Sequence, residues 1–198
     1  TKGVFIVMHH DENDETIACH VGTRVRKNHT SKRGAFQTIG DDPAFLITDN
    51  QIQKNITEDF FKVNEFQPKI NLDTKVALVK YYPGYDPRLL DKIIEMGYKG
   101  IIFEGTGLGH IGNTMYESVK KANENGIFLG MTSQCIDGRI RMTVYESGRD
   151  LLDLGIIPLE NMIPEVALVK AMCAIGNSQN REEVKQIMLD NIALELSN

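Results

Sequence analysis

The segment Gly22-Thr23-Arg24-Val25-Arg26-Lys27-Asn28-His29-Thr30-Ser31 is dense in hydrogen-bond donors and directly follows an apolar run. Lys27 is its chemically interesting member. A lysine held among hydroxyls and carboxylates can relay a proton or steady a developing negative charge, because burial readily shifts its pKa. The plainer account is a solvated basic loop, and on pattern alone it is the stronger of the two.

A second candidate is Glu104-Gly105-Thr106-Gly107-Leu108-Gly109-His110-Ile111-Gly112. Gly107, Gly109 and Gly112 fit the spacing of a phosphate-cradling loop between a strand and a helix. The dinucleotide pattern also calls for an acid about 20 residues on, at the end of the next strand. Here that strand ends Thr132-Ser133-Gln134-Cys135, with no acid before Asp137. Two other readings stand beside it: a tight strand-to-helix turn that needs small residues, and a substrate loop at the carboxyl edge of a sheet. His110 lies on this loop and can donate or accept a hydrogen bond.

The five histidines, His9, His10, His20, His29 and His110, include no pair at the spacing of a zinc-binding helix. Neighbours on a strand, such as His9 and His10, point to opposite faces. No metal site is expected. A serine elbow of the GxSxG type is absent, and no cysteine has a histidine at a telling position. These residues alone specify no complete active site.

The elements that must position such groups fall into two textures. Residues 4–10 and 16–21 read as short strands around the acidic turn Asp11-Glu12-Asn13-Asp14, followed by a polar, basic loop and the apolar run 44–47. Residues 51–74 suit a linker or an irregular crossover. From Lys75 on, apolar runs at 76–79, 101–103 and 127–131 alternate with helical stretches at 87–97 and 113–125. Two more helices are expected over 162–175 and 181–196, the last from the four-residue recurrence of Val184, Met188, Ile192 and Leu196. Alternating strands and helices predict a parallel sheet wrapped on both sides. The expected boundary lies near residue 70: residues 1–70 as the tail of one domain plus linker, residues 71–198 as a complete small α/β domain. The run Val4–Met8 starts abruptly, so the chain is expected to begin within a domain.

Composition sets outer limits. The chain has 198 residues, 41% hydrophobic and 25% charged, which suits a globular protein with a sizeable core. A net charge of −5 and a pI near 5.6 give no whole-chain reason to bind nucleic acid; the local run Arg24–Lys27 with Lys32 and Arg33 is the exception. Cys19, Cys135 and Cys173 are odd in number and lack CxxC spacing, which points to reduced thiols in a cytoplasmic protein. No run approaches the roughly 18 apolar residues of a membrane helix, and the apolar run at 4–8 is too short for a signal peptide core.

The ordered motifs are recognisable. Gly22 to Thr30, then Ala35-Phe36, then Pro83-Gly84 after a strand, resemble the type I/II asparaginase family. Gly100-Ile101-Ile102-Phe103-Glu104-Gly105 running into the glycine loop continues the likeness. So do Met131-Thr132-Ser133-Gln134-Cys135, Gly138 and Tyr145. Within that family, Gly107–His110, Val144–Leu152, Gly155–Pro158, Asn161–Lys170 and Met188–Ile192 are similar to the ammonia-releasing subunits of archaeal tRNA-dependent amidotransferases.

The resemblance implies a fold and a chemistry. The fold is the end of the large asparaginase N-terminal domain followed by a small C-terminal domain with a flavodoxin-like parallel sheet. A threonine hydroxyl attacks a side-chain amide, ammonia leaves, and water releases the acyl group. A second threonine, an aspartate and a lysine assist, and the family's lysine falls on Lys27, which reverses the bland reading of that residue. The nucleophile and its helpers belong to Thr-Gly-Gly-Thr and Gly-Thr-Asp-Thr strings, and neither occurs in the 198 residues. The chain is therefore expected to be inactive alone, with the reacting threonine outside it.

His110 falls where free asparaginases often carry an asparagine on the loop that contacts substrate in a neighbouring protomer. Tyr145 falls near a substrate-binding glutamate. The implied partners are a second copy of the chain in a homodimer, a separate kinase-transferase protein, glutamyl-tRNA(Gln) and glutamine or asparagine as amide donor. ATP and Mg2+ are expected on the kinase-transferase partner, and no cofactor on this chain. The alternatives are a free cytoplasmic asparaginase, a nucleotide-binding module built on residues 105–112, and a catalytically dead interaction domain.

Overall fold

The computed structural model describes residues 3–56 and 68–197, so part of the linker expected over 51–74 lies outside the described residues. By its internal contacts the chain divides into two units, Thr1–Pro68 with Ile192–Asn198, and Lys69–Asn191.

Among the described residues the first unit holds six short strands: β1 (Phe5–His9), β2 (Thr16–Val21), β3 (Val25–Lys27), β4 (Phe36–Thr38), β5 (Phe45–Thr48) and β6 (Gln51–Lys54). An antiparallel sheet runs in the order β1-β2-β5-β6, and β3 pairs with β4 in a separate two-stranded ribbon. The β1–β2 connection is built by its own side chains: Asp11 Oδ1 accepts from the Asn13 amide, and Asn13 Oδ1 from the Glu15 amide, each at 3.0 Å. Asp49 and Asn50, both at positive φ, make the two-residue turn between β5 and β6, where such backbone matches the twist of a hairpin. The basic stretch expected to be a loop therefore contains β3, and the expected linker begins as an edge strand.

Residues 192–197 belong to this unit rather than to a long terminal helix. Thr23 Oγ1 donates to the Ala193 carbonyl at 2.5 Å, Arg24 Nε to the Leu194 carbonyl at 2.7 Å, and Arg24 Nη2 to Ser197 Oγ at 2.8 Å. Arg24 is 2% exposed, so the most prominent charge of the basic run is spent inside the fold.

In the second unit, β7 (Val76–Lys80), β8 (Gly100–Gly105), β9 (Phe128–Ser133) and β10 (Ile157–Pro158) form a wholly parallel sheet in the order β10-β9-β8-β7. Strands are added in one direction, without the reversal of a flavodoxin-like order. Five helices accompany it: α1 (Pro87–Glu95), α2 (Tyr116–Glu124), α3 (Glu146–Asp153), α4 (Pro164–Asn177) and α5 (Arg181–Leu189). Asp86 caps α1 by accepting from the Arg88 amide at 2.9 Å, with Pro87 in the first turn, and Asn180 caps α5 through the Glu183 amide at 3.0 Å.

Strand alternation divides the core in two. Ile101, Phe103, Leu129 and Met131 face one side, where they pack with Leu90 of α1, Met115, Val119 and Ala122 around α2, and Leu151 of α3. The intervening positions face the other side. A side-chain carbon at Gly100 would meet Ile175 of α4, and one at Gly130 would meet Leu159. Helices thus cover both faces of the sheet, as the uninterrupted apolar runs of its strands require.

Candidate functional site

The carboxyl ends of β7, β8 and β9 gather polar groups on one edge of the second unit. Parallel strands leave their last carbonyls without ladder partners there, so the edge suits ligand-binding loops. Gln134, just past β9, occupies this position. Its carboxamide donates to the Glu104 carbonyl at 2.9 Å and to the Tyr81 carbonyl, and its own amide donates to the Gly105 carbonyl at 2.8 Å. Lys80 Nζ and the mostly shielded Glu104 Oε1 form an ion pair at 2.6 Å across the ends of β7 and β8.

Beyond β8 the chain turns back on itself. The amides of Gly109 and His110 donate to the Thr106 carbonyl at 3.0 Å each, and the Thr106 amide to the His110 carbonyl at 2.9 Å. Gly107 at φ +49 and Gly109 at φ +99 supply backbone that other residues adopt only with strain. Gly105 has no room for a side chain either, since an added carbon would press on the His110 backbone and Met131 Sδ. The amides of Thr106, Gly109 and His110 are thus committed inside the loop. The turn account of the glycines, with His110 displayed on it, describes this loop better than a phosphate cradle.

His110 and Tyr145 come together, with ring centroids 5.6 Å apart and planes at 57°. Tyr145 precedes α3, whose first turn contributes two residues that sequence reasoning did not single out. Ser147 Oγ lies 3.3 Å from His110 Nδ1. Gly148 lets α3 press against the Met142 carbonyl and the His110 ring, where an added side-chain carbon would stand 3.0 Å from His110 Cε1. Tyr116, at the start of α2, donates to the Ser147 carbonyl at 3.2 Å and to Asp150 Oδ2 at 3.4 Å. Burial first, then the Asp150 charge, raises the Tyr116 pKa and keeps it a donor. His110 Nε2 is buried and has no hydrogen-bond partner among the described residues.

Lys27 belongs to the first unit. It ends β3, is exposed, and its ammonium lies 5.7 Å from the centroid of the Phe36 ring, the residue paired with it on β4. Nearby in the same unit His20 is 2% exposed, with Nδ1 2.8 Å from Thr38 Oγ1. Burial first, and then the charge of His10, lowers the His20 pKa. Among the described residues no group of three or more His, Cys, Asp or Glu side chains could hold a metal ion, and no helix is long and apolar enough to cross a membrane.

Comparison with known proteins gives this geometry a context. Residues 75–188 match the glutaminase/asparaginase C-terminal domain family. Over 98% of its length the chain is 44% identical to a protein of Pyrococcus abyssi named as a subunit of glutamyl-tRNA(Gln) amidotransferase, covering 45% of that protein. The protein of the same name from Methanococcus maripaludis is 43% identical over 99% of the chain and 48% of its own length. The chain thus spans about half the length of these relatives. Among solved structures, the thermostable L-asparaginase from Thermococcus kodakarensis superimposes with a TM-score of 0.82 at 31% identity, over 91% of this chain and 55% of that one. L-asparaginase I from Vibrio cholerae gives the same TM-score of 0.82 at 24% identity, a likeness of fold. The parallel four-stranded sheet, the glycine turn at its carboxyl edge and the sequence match agree: the chain belongs to the glutaminase/asparaginase C-terminal domain family.

Proposed function

We propose that this chain is part of an amidohydrolase that releases ammonia from glutamine or asparagine for conversion of glutamyl-tRNA(Gln) to glutaminyl-tRNA(Gln). The observation that carries the reading is the 44% identity, across both units, to a relative named as part of that amidotransferase. In this reading a threonine outside the 198 residues attacks the amide carbon, the acyl-enzyme forms as ammonia leaves, and water regenerates the hydroxyl. Lys27 assists proton transfer from within the first unit. His110 and Tyr145 contact substrate from the second unit, presented to a neighbouring copy in a homodimer. A kinase-transferase partner activates the glutamyl end with ATP and Mg2+, takes up the ammonia, and works with this protein in the cytoplasm.

The 31% identity to the Thermococcus kodakarensis asparaginase favours a second reading, a free asparaginase with the same fold and chemistry. The two separate by experiment. Full-length protein is assayed for amide hydrolysis with and without its partner and glutamyl-tRNA(Gln). Stimulation by the charged tRNA supports the amidotransferase reading, and rapid hydrolysis indifferent to both supports the free enzyme.

A further inference from the structure

We infer that Ser147 is a positioning residue that holds the neutral His110 ring as the Nε2–H tautomer, so that His110 offers a hydrogen-bond donor to its ligand. This rests on the reading of His110 as a substrate contact.

Every part of His110 except one atom is accounted for within the second unit. Its amide and carbonyl are tied to Thr106. Its ring edge lies against Gly148, where no side chain fits, and its face is near the Tyr145 ring. Nδ1 faces the Ser147 hydroxyl at 3.3 Å. Nε2 alone is buried and unpartnered among the described residues. A buried polar atom without a partner costs free energy, so a native structure that keeps one calls for an explanation. Tyr145, 59% exposed, is the solvent-facing neighbour of the ring.

The tautomer follows from the hydroxyl. Ser147 Oγ and His110 Nδ1 lie 3.3 Å apart and either can donate; in the proposed arrangement the shared proton belongs to Ser147. When that proton points at Nδ1, the neutral ring must carry its own proton on Nε2. A donor at Nε2 pairs with an oxygen acceptor such as a carboxylate. It does not pair with an ammonium group, which is itself only a donor. The imidazole therefore takes the α-carboxylate, not the α-ammonium group, of an amino-acid amide.

The test uses the full-length enzyme with 15N-labelled histidine. In the wild type the His110 signals should show a protonated Nε2 and an unprotonated Nδ1. Ser147→Ala should lose that preference, and Ser147→Thr should restore it. In steady-state assays Ser147→Ala should raise KM for glutamine by about five- to tenfold, the span of one hydrogen bond, with kcat nearly unchanged. Glutaramate, which lacks the α-amino group, should show the same KM rise. 4-Aminobutanamide, which lacks the carboxylate, should not.

A wild-type ring protonated on Nδ1, or a tautomer unaffected by Ser147→Ala, would overturn the inference. If the tautomer responds as expected while neither Ser147→Ala nor His110→Ala changes KM, Ser147 does set the ring but His110 is not a substrate contact. That outcome removes the functional reading of His110 and leaves the tautomer assignment standing.

Discussion

The side chain of Gln134 donates to the backbone carbonyl of Glu104 at 2.9 Å, one residue before β8 ends. The same carboxamide reaches the Tyr81 carbonyl, so a single side chain after β9 closes the carboxyl ends of β7 and β8. The platform that carries the glycine turn depends on this clasp.

Gln134→Ala removes a donor from two carbonyls at once. The Glu104 carbonyl keeps the Tyr81 amide at 3.1 Å, so the expected loss of stability, about 1–3 kcal/mol, is chiefly the cost of leaving the Tyr81 carbonyl without its donor. Urea unfolding monitored by circular dichroism measures it. An unchanged midpoint would show that water replaces the side chain freely.

Gly148→Ala places a carbon on top of the Met142 carbonyl and against His110. Backbone cannot yield as a flexible side chain can, so α3 must shift, at a cost of about 1–3 kcal/mol. The Tyr145–His110 ring contact should be lost with it, visible as altered aromatic proton shifts. Wild-type stability and shifts would mean that the first turn of α3 is looser than described.

The structure was legible in the sequence where burial is symmetric. Ile101-Ile102-Phe103 and Ile127–Met131 are apolar at every position because helices cover both faces, and such runs announce strands without ambiguity. Gln51-Ile52-Gln53-Lys54 gave no such signal. All four residues are exposed, and β6 exists because β5 offers it an edge. The four-residue recurrence that predicted a helix to residue 196 failed for a related reason. The helix stops at Leu189, Leu194 sits at positive φ, and the last residues are held by Thr23 and Arg24, some 170 positions away. The glycines of the candidate site marked a special loop, and His110 stood out on it. Ser147 did not, because its partnership with His110 spans 37 residues and leaves no local pattern.

The buried His20 gives the first unit an acid-sensitive stability. Its pKa in the folded protein lies below the ordinary value of 6.5. As pH falls past 6.5 the unfolded chain binds a proton that the folded chain refuses, so stability drops until the folded pKa is reached. Above pH 6.5 the effect vanishes. His20→Gln should flatten this part of the pH–stability curve, measured by thermal melts at intervals between about pH 7.5 and 5. A curve as steep as that of the wild type would locate the acid sensitivity elsewhere.

Lys27 tests the proposed chemistry with little risk to the fold. It is exposed, and its main contact is the Phe36 ring, so Lys27→Ala should shift stability by no more than about 1 kcal/mol. In the full-length enzyme the same change should lower the acylation rate by roughly 10²–10⁴-fold, the usual weight of a group that moves a proton in the transition state. Single-turnover release of ammonia separates the two effects. Near-normal turnover would take Lys27 out of the active site.

The most direct measurement of the central claim is amide hydrolysis by the full-length protein purified together with the proposed kinase-transferase partner. Ammonia release from glutamine and asparagine is followed with ATP and Mg2+, in the presence and absence of glutamyl-tRNA(Gln). The account predicts slow release without the charged tRNA, stimulation when it is added, and glutaminyl-tRNA(Gln) as product. Fast asparagine hydrolysis by the protein alone, unchanged by partner or tRNA and yielding no glutaminyl-tRNA(Gln), would contradict it.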